Sequence, residues 1–554
     1  MYTADFETNN HEDDCRVWSW AICEINTLEK LYGDDIESFI DFILGNGSQK
    51  YYFHNLKFDG NFIISYLLNN GWKHTTERTV RKKEFKTLIS DKGQFYSITM
   101  GWSNKKGKIF NIIILDSYKL IPFKVEKIAE DFDLPIKKGK IDYNLNRPKG
   151  YKMTEDEKEY LKNDVEIMAR ALQMFFKQGL DGMTIGSNAL KFYKNQITTK
   201  SFNRRFPVPV YDSDIRQSYK GAWTYLNPKY ANMTILQPGL VFDVNSLYPW
   251  VMAEKPLPFG EGKYFTGKYE DDKDYPLYVQ MISCEFELKS DYLPTIQLKN
   301  NLSFIPTQYI SSSEGEEITM CLTCVDLAIF LEHYEVYNLT YHSGWKFKSS
   351  QKLFKDYVDY WVKIKIQSEK DGNLAMRAIA KLYLNNLYGK FAKNPIIGNK
   401  YPVLDENGIV RYKLGKKEEV SPIYIPVAAF ITAYAREKTI SSAQKLYGRF
   451  IYADTDSLHI IGTEIPDFLD IDPYRLGAWK HESTFEKARF IRAKSYIEVI
   501  NGKNKITCAG LTKDNISEIS FDDFKLGFEF NKSLKAKSVP GGVILKETPF
   551  KVRA

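Results

Sequence analysis

The hydrophobic and polar positions of the first 180 residues alternate between the strand period and the helix period. The segments that predict strands are MYTADFET, KYYFHNL and IFNIIILD, and those that predict helices are IESFIDFIL and DGNFIISYLLNN. Strands and helices that alternate along the chain are typical of an α/β layer arrangement. Three glycines within GLDGMTIG (179–186) indicate a linker that follows this unit.

The remaining chain has a less regular pattern with longer helices. LVFDVNSLYPWVM (240–252) predicts a strand followed by a turn or helix, and residues 256–350 mix short strands with Pro and Gly. Helical patterns begin near residue 351, a hairpin is predicted around DENG within 395–420, and a further helix is predicted in AFITAYAREKTISSAQKLYG. RFIYADTDSLHIIG predicts two strands that meet at a tight turn, and a Pro-Gly-Gly turn lies at 540–542.

The length of 554 residues indicates several domains. The net charge is +7, and basic clusters with aromatic residues nearby recur at 78–86, 104–108, 136–140 and 414–419. Such clusters are compatible with binding along a phosphate backbone, although they are also common on solvated faces. Six cysteines make a secreted disulfide framework unlikely on density alone, and no apolar run reaches membrane-spanning length, so a cytosolic protein is expected.

Acidic residues in the first unit form a candidate metal site. Asp5 and Glu7 are two apart on a predicted strand and therefore share a face, Asp59 follows in FHNLKFDGNF, and Tyr160 and Asp164 are four apart on a predicted helix. Carboxylate oxygens suit Mg²⁺ or Mn²⁺, and two such ions can activate water and stabilise the leaving oxygen of a phosphodiester. Each acid taken alone is more often a surface residue, so the hypothesis rests on their combination.

A second group of candidates lies in the carboxyl-terminal two thirds. Asp243 ends a predicted strand, and Asp454 and Asp456 lie at a predicted hairpin tip in YADTDS. One predicted helix places two cations, an amide and a phenol within an arc of about 80°, at Arg377, Lys381, Asn385 and Tyr388. This stripe is either a solvated helix face or a set of phosphate donors beside a ring that stacks on a base.

The acidic motifs of the first unit, Asp-x-Glu, Asn-x-x-x-Asp and Tyr-x-x-x-Asp, resemble those of DEDD-type proofreading 3′–5′ exonucleases, which have a ribonuclease-H-like fold. The resemblance implies that Tyr160 orients the attacking water and that Lys138 is an accessory catalytic residue. It also implies that the single-stranded 3′ end is held by His54, Asn55, Phe58, Phe62, Ser117, Phe123 and Tyr143.

Three further blocks, DVNSLYP, KLYLNNLYG and YADTDS, resemble the polymerase motifs of family B DNA polymerases. Together with YKGA, ITAYAR, KHESTF and VPGGV, they resemble the protein-primed subgroup of small tailed bacteriophages over essentially the whole chain. The resemblance implies that Asp243 and Asp456 hold two metal ions, Mg²⁺ or substituting Mn²⁺, with support from Asp454 and Val244. The implied nucleotide contacts are Tyr248, Lys365, Arg377, Lys381, Asn385 and Tyr388, and the implied DNA contacts are Tyr219, Gly221, Ala222, Thr432, Arg436, Lys494 and Tyr496.

The predicted fold class is an α/β and α+β multidomain chain, in which a ribonuclease-H-like exonuclease precedes a right-hand polymerase of palm, fingers and thumb. The boundaries are 1–183 for the exonuclease, 184–255 and 421–507 for the palm, 256–352 and 395–420 for two terminal-protein-region insertions, 353–394 for the fingers and 508–554 for the thumb. Implied partners are primer-template DNA, single-stranded DNA, dNTPs and a terminal protein that primes synthesis.

The expected function is processive, strand-displacing replication of a phage genome with proofreading, by a monomer in the cytoplasm of the infected bacterium and with no membrane partner. Two alternatives remain open from the sequence. One is a nuclease whose second part only binds DNA, and the other is a non-enzymatic packaging or scaffold protein. A packaging or scaffold protein would not need two carboxylate clusters that each have cations nearby.

Overall fold

The computed structural model describes residues 1–103, 107–143, 145–297, 309–511, 516 and 518–553. Residues 104–106 of the predicted basic cluster 104–108 lie outside this part of the chain. Within the described ranges, all six cysteines are free thiols. No helix in the same ranges has the length and apolar character needed to cross a membrane.

An eight-stranded mixed sheet forms the first unit, in the order β3-β2-β1-β4-β8-β7-β6-β5. The central strands β1, β4 and β8 are parallel, and the flanking pairs are antiparallel except for β5 with β6. The strands are β1 (Tyr2–Thr8), β2 (Val17–Glu24), β3 (Lys30–Gly33), β4 (Lys50–Phe53), β5 (Lys73–His74), β6 (Glu84–Ile89), β7 (Phe95–Ser103) and β8 (Ile109–Asp116).

Helices α1 (Ile36–Gly45), α2 (Leu56–Asn69) and α4 (Glu155–Lys177) pack on this sheet, and α3 (Val125–Asp131) packs against α4. Helix α4 begins with a capping box, in which the Thr154 hydroxyl accepts from the Glu157 backbone N–H and the Glu157 carboxylate accepts from that of Thr154. The face of α4 that carries Tyr160 and Asp164 is buried against β1 and β2. The α/β arrangement that the alternating pattern predicted is therefore present.

The next segment builds one half of a central sheet. It consists of α5 (Ile185–Ile197), α6 (Thr199–Arg205), α7 (Asp212–Arg216), β9 (Thr224–Leu226), β10 (Thr234–Ile235), β11 (Gly239–Val244) and α8 (Leu247–Glu254). The segment predicted to be a linker, 179–186, already contains the start of α5. A four-stranded antiparallel sheet follows, formed by β12 (Leu257–Thr266), β13 (Leu277–Leu288), β14 (Ile318–Thr323) and β15 (Tyr334–Ser350), with α9 (Cys324–His333) between the last two strands.

Three helices and two small hairpins come next: α10 (Lys355–Lys370), α11 (Leu374–Asn386), α12 (Tyr388–Phe391), β16 (Ile396–Ile397), β17 (Lys400–Leu404), β18 (Val410–Leu414) and β19 (Glu418–Glu419). The β17–β18 hairpin turns at the predicted DENG segment. The helix predicted to carry Tyr388 is interrupted at Leu387, so Tyr388 begins α12 rather than ending α11.

The central sheet is completed late in the chain, in the order β22-β11-β21-β20-β9. Helix α13 (Ile425–Lys445) lies beside it and is buried nearly all round, which agrees with its apolar composition. The remaining strands are β20 (Phe450–Asp454), β21 (Ser457–Ile461), β22 (Trp479–Phe485), β23 (Lys487–Arg492), β24 (Ser495–Ile500), β25 (Lys503–Cys508), β26 (Glu529–Val539) and β27 (Gly542–Lys551).

The terminal β26–β27 hairpin is docked on the first unit. Val539, Val543 and Ile544 belong to the same apolar core as β1 and α2. The Asn10 amide donates to the Leu545 carbonyl at 2.9 Å and accepts from its backbone N–H. At the hairpin turn, a side chain in place of Gly541 or Gly542 would meet the Cys15 carbonyl or the Phe62 ring. The end of the chain is thus held close to its beginning.

Replacing Gly541 with alanine should release this docked hairpin. Gly541 has φ +91°, and an added Cβ would clash with the Cys15 carbonyl. Gly527→Ala is a matched control, because Gly527 has φ +85° but open space around it. In both variants the free energy of unfolding should fall by roughly 1 kcal/mol, because alanine is disfavoured in the left-handed backbone conformation. Only Gly541→Ala should also speed amide hydrogen exchange in β26 and β27. Equal exchange in the two variants would contradict the docking argument.

Candidate functional site

Four acidic side chains from separate elements meet in one cavity of about 610 Å³, and we call them the first carboxylate site: Asp5, Glu7, Asp59 and Asp164. Asp5 and Glu7 lie two apart on β1, Asp59 lies in the first turn of α2, and Asp164 lies in the middle of α4. Three of the four are nearly inaccessible, with exposed fractions of 6% or less. The structure therefore brings together the acids that the motifs selected.

Burial and mutual repulsion dominate the electrostatics of the first carboxylate site. Burial, followed by the charge of Asp164, raises the pKa of Asp5 to about 7. The pKa values of Glu7 and Asp59 are raised as well, first by burial and then by Asp5. Among the described residues that line the cavity, the side chain with a positive charge is Lys138, whose Nζ donates to Asp164 Oδ2 at 2.7 Å. In this lining four carboxyl groups share one ammonium group, so they favour either protons or additional cations.

Tyr160 lies beside these acids with its phenol in a hydrogen bond. Its hydroxyl is 2.8 Å from that of Tyr143, and the Lys138 Nζ lies 5.4 Å from its ring centroid. Burial and the nearby Asp164 raise the pKa of Tyr160. The phenol therefore keeps its proton at neutral pH and can both donate and accept hydrogen bonds.

Four of the predicted strand-binding residues line the cavity: His54, Asn55, Phe58 and Tyr143. Burial lowers the pKa of His54 to about 4, so its ring is neutral at pH 7. Its two nitrogens are 3.1 Å from Ser117 Oγ and 2.7 Å from the Phe123 carbonyl oxygen. Ser117 and Phe123 thus hold the His54 ring in place.

Two predicted strand contacts are interior in this structure. Ser117 is fully buried, and Phe62 is 1% exposed beneath the docked β26–β27 hairpin. The sequence also gave no reason to single out Asp116, whose Oδ1 accepts from the backbone N–H of Asn55 at 3.0 Å. This bond stabilises Asn55 in the left-handed region, at φ 69°, at the start of α2.

The far end of the chain completes the wall of the first cavity. Leu534, Leu545 and Glu547 of the β26–β27 hairpin line it. No local sequence signal indicated these residues, because they are more than 360 positions from Asp164 and reach the cavity only through the docked hairpin. A ligand in this cavity would therefore lie against both the first unit and the β26–β27 hairpin.

Asp243, Asp454 and Asp456 form the second carboxylate site, where β11 lies beside the β20–β21 hairpin. Thr455 at the hairpin tip has φ 63°, and its backbone N–H donates to the Trp223 carbonyl at 3.0 Å. The backbone N–H of Val244 donates to the Asp456 carbonyl at 2.8 Å. These backbone bonds hold the strained tip against β11 and fix where its two carboxylates emerge.

The second carboxylate site also accumulates uncompensated negative charge. Burial raises the pKa of Asp243 to about 7 and that of Asp456 to about 6. Glu482 contributes to both shifts, although the sequence resemblance, which includes its motif KHESTF, implied no role for it. It is the extra residue of a bulge in β22, where the register slips opposite Val241 and Phe242. Bulges of this kind re-aim side chains and have no reliable sequence signal.

Asp454 differs from its neighbours because it already has a cation. Both of its carboxylate oxygens accept from Lys494 Nζ, at 2.7 and 2.8 Å, and Oδ1 also accepts from the Thr224 hydroxyl at 3.0 Å. Lys494 is the residue predicted to hold a primer terminus, and its predicted partner Tyr496 stacks on Phe490 with ring centroids 5.0 Å apart. Among the described residues, no three acidic, His or Cys side chains form a ready-made metal cage.

Three predicted triphosphate contacts form a positive cluster close to the second carboxylate site. Burial, then Arg377 and Lys381, lower the pKa of Lys365, which requires the three cations to lie near one another. Lys381 in turn opposes the raised pKa of Asp243. Asn385, which lies on α11 with Arg377 and Lys381, is exposed. Lys381 therefore lies near enough to act on the acids, whereas Arg377 pairs with Glu369 at 3.4 Å.

The predicted aromatic contacts of the nucleotide form a second feature of this cleft. The rings of Tyr248 and Tyr388 lie with centroids 4.4 Å apart and planes at 41°. Burial raises the pKa of both phenols. The two rings together present an uncharged aromatic surface next to the positive cluster.

Arg436, a predicted DNA contact, is buried in this structure and holds neighbouring segments together through hydrogen bonds. It is 3% exposed, forms a bidentate pair with Asp326, and donates to the carbonyls of Lys220 and Gly221 at 2.8 and 2.6 Å. It thereby fixes the Tyr219–Ala222 segment, in which Gly221 stays exposed. Thr432 is 1% exposed and bonds to the Ala428 carbonyl within α13.

Without divalent cations, the free energy of unfolding should fall as pH rises from about 4 to about 7. An unfolded aspartate releases its proton near pH 4, whereas Asp5 and Asp243 keep theirs to about 7 in the folded chain. Over this interval the folded state binds more protons, so a rise in pH favours unfolding. Urea titrations in chelator across this range measure the effect, and Asp243→Asn should reduce it. An unchanged pH dependence in that variant would contradict the assignment.

The chain matches the family model described as DNA polymerase type B, organellar and viral, over residues 40–149 and 140–472. The DNA polymerase of Bacillus phage M2 is 44% identical over 577 residues, which cover 100% of this chain and 99% of the phage protein. Two solved structures of phi29 DNA polymerase, an orthorhombic crystal form and a ternary complex with primer-template DNA and incoming nucleotide, are 44% identical. They cover 100% of both chains, with TM-scores of 0.95 and 0.94.

These similarities extend over the whole chain and agree with the motifs. The resemblance to phage family B polymerases is therefore confirmed, and the mixed α/β multidomain fold agrees with that of phi29 polymerase. The packaging-protein alternative is no longer tenable. The chain belongs to the type B DNA polymerases of organelles and viruses.

Proposed function

We propose that this DNA polymerase extends a 3′ end at the second carboxylate site and removes mispaired nucleotides at the first. The observation that supports this division is the pair of separate acidic sites, one buried and one half-buried, each short of positive charge and each bordered by its own cations. Phi29 DNA polymerase has been solved with primer-template DNA and incoming nucleotide, and with single-stranded DNA. We infer the same ligands for this chain.

Mg²⁺, for which Mn²⁺ can substitute, fits the oxygen donors of both sites, with two ions proposed at each. The proposed ligands are Asp243, Asp456, Asp454 and the Val244 carbonyl in one site, and Asp5, Glu7, Asp59 and Asp164 in the other. Carboxyl groups with pKa values raised to about 6 and 7 lack the positive charge that such ions bring. When bound, the ions would stabilise the attacking and leaving oxygens of an in-line phosphoryl transfer.

At the second carboxylate site, the chain's own residues position the nucleotide. Lys365, Arg377 and Lys381 form a positive cluster suited to a triphosphate. The half-buried Tyr248 ring lies beside the Tyr388 ring, where we propose that it packs against the sugar and disfavours a ribose. Holding the reacting groups in line accounts for much of catalysis in phosphoryl transfer.

At the first carboxylate site, Tyr160 is the proposed water-orienting residue. Its protonated phenol is held by Tyr143 at 2.8 Å and can accept from or donate to a water beside Asp164. Lys138, bonded to Asp164, lies where it can offset charge on a scissile phosphate. His54, Asn55 and Phe58 would hold the strand whose last phosphodiester is cut.

Two isosteric substitutions test whether the second carboxylate site extends DNA and the first degrades it. Asp456→Asn should lower dNTP incorporation on a primed template by on the order of 10²- to 10³-fold, the loss typical of removing one charge-stabilising group. It should leave degradation of single-stranded DNA near the wild-type rate. Asp5→Asn should do the reverse, and each variant is the control for the other. Unimpaired extension by Asp456→Asn, together with lost extension by Asp5→Asn, would reverse the assignment.

We also propose that the polymerase displaces the downstream strand and that a terminal protein primes its synthesis. The β26–β27 hairpin is docked on the first unit and contacts β18. We propose that the β26–β27 and β17–β18 hairpins together surround the product duplex, an arrangement that would favour processive synthesis and separation of the downstream strand. Initiation on a protein hydroxyl rests on the resemblance to the protein-primed subgroup.

The priming proposal predicts a covalent product. Incubation of the polymerase with its cognate terminal protein, dATP and divalent cation should yield a terminal-protein–nucleotide adduct that is stable in denaturing gels. Asp456→Asn is the control, because the same acids would serve both kinds of primer. Absence of an adduct under conditions that support extension of a DNA primer would exclude protein priming while leaving the polymerase assignment intact.

A further inference from the structure

A polar pair lies deep between two sheets that meet beside the second carboxylate site. His459 of β21 and Glu498 of β24 have side chains that are 2% and 0% exposed, and His459 Nδ1 lies 2.7 Å from Glu498 Oε1. Strand β21 belongs to the central sheet, whereas β24 belongs to the four-stranded sheet β10-β23-β24-β25. The pair therefore ties one sheet to the other, and the proposed function gives it no role.

The surroundings of this pair are aromatic and apolar. The ring of His459 lies among those of Tyr452, Phe490 and Tyr496, with centroids 5.3 to 5.5 Å apart. Among the described residues, the buried Glu498 Oε2 has no hydrogen-bond partner. Such an atom is costly to bury, and apolar side chains would fill the same space without that cost. Stability therefore gives no reason for the pair, and its directional bond points to a role in alignment.

His459 lies on the hairpin that carries two acids of the second carboxylate site. It is the cross-strand partner of Tyr452 in the β20–β21 pairing. Along the chain, Tyr452 comes two residues before Asp454, and His459 comes three residues after Asp456. A displacement of His459 would therefore move the base of the hairpin tip and, with it, the carboxylates.

Glu498 lies on the strand that carries the predicted contacts of a primer end. Tyr496 is two residues before it and shares its face of β24, and Lys494 directly precedes this strand. The Lys494 backbone N–H donates to the Tyr452 hydroxyl at 2.9 Å. Burial raises the pKa of Tyr496 to about 12, and the charges of Glu498 and Asp454 add to this shift. Tyr496 therefore lies near both the pair and the second carboxylate site.

The contacts between these two elements differ in their access to solvent. Lys494 Nζ bonds to both oxygens of Asp454, but the lysine side chain is 56% exposed, so a primer phosphate can compete for it. The bond between His459 and Glu498 is inaccessible to such a ligand, because both side chains are buried. It can therefore hold the two elements together when the bond at the surface opens.

We propose that His459 and Glu498 are positioning residues for polymerisation, whose bond keeps the primer contacts next to β24 aligned with the acids on the β20–β21 hairpin. The alignment persists when Lys494 leaves Asp454 for a primer phosphate. Because both side chains are buried, they act through their neighbours Tyr452, Tyr496 and Lys494 rather than on the substrate. This inference rests on the proposed function, since it requires that the second carboxylate site extends DNA.

The test removes both partners together, as Glu498→Leu with His459→Leu. This double variant leaves no lone buried polar group, so its midpoint of thermal unfolding should be close to or above that of the wild type. Its kcat for incorporation on a primed template should nevertheless fall by roughly 10- to 100-fold, because a displacement on the order of 1 Å has such an effect. The KM for dNTP should stay within about twofold, since Lys365, Arg377 and Lys381 lie on other elements.

Two further variants separate alignment from stability. Glu498→Gln keeps an amide that can bond to His459 Nδ1 in either tautomer, so its kcat should stay within about threefold of the wild-type value. Ile235→Ala lies in the same apolar layer, where Ile235 is buried, and should lower the midpoint of unfolding while leaving kcat unchanged. Degradation of single-stranded DNA at the first carboxylate site should be unchanged in every variant.

Three results would overturn the proposal. The first is a wild-type kcat in a stably folded double variant. The second is a marked loss of thermal stability in that variant, which would give the pair a role in stability instead. The third is an equal fall of incorporation and degradation, which would indicate a general effect on the fold. Failure of the proposed function would be recognised separately, because Asp456→Asn would then leave incorporation intact.

Discussion

Carboxylates held close together without matching positive charge are the constraint on which this structure depends. In each site, burial and neighbouring acids push the pKa of at least one aspartate to about 7. At neutral pH such a group destabilises the folded chain when no cation is bound, so the surrounding structure must hold it in place. In the first site β1, α2 and α4 do so, each through a buried face. In the second, backbone hydrogen bonds from Thr455 and Val244 fix the hairpin tip.

This constraint also explains why apolar cores join parts of the chain that are far apart in sequence. A site assembled from elements far apart in sequence is only as precise as the packing between those elements. One apolar core runs from α4 through α5 to α13, and another joins β1 and α2 to the β26–β27 hairpin. Movement of the hairpin would therefore open the first cavity, because Leu534, Leu545 and Glu547 belong to its wall.

Local patterns in the sequence predicted much of this. The alternation in TADFET placed Asp5 and Glu7 on one face, and the apolar runs around ADTDS predicted the hairpin tip. Neither Glu482 nor Asp116 could be found in this way. Glu482 faces the acids because the register of β22 slips by one residue, and Asp116 matters because it binds the backbone of Asn55, 61 positions earlier. Both depend on long-range pairing, which periodicity does not encode.

The Asp454–Lys494 pair indicates how, under the proposed function, the charge of the second carboxylate site would change when a primer end binds. Lys494 Nζ now neutralises both oxygens of Asp454, and the lysine side chain is 56% exposed. A primer phosphate that attracts this ammonium group competes with Asp454 for it, and Asp454 then needs another cation. The proposed metal ions would supply one, so binding of the primer end and binding of metal would favour each other. Among the described residues, no lysine forms a hydrogen bond with Asp243 or Asp456, so under the proposal these two acids would need a metal ion even before a primer binds.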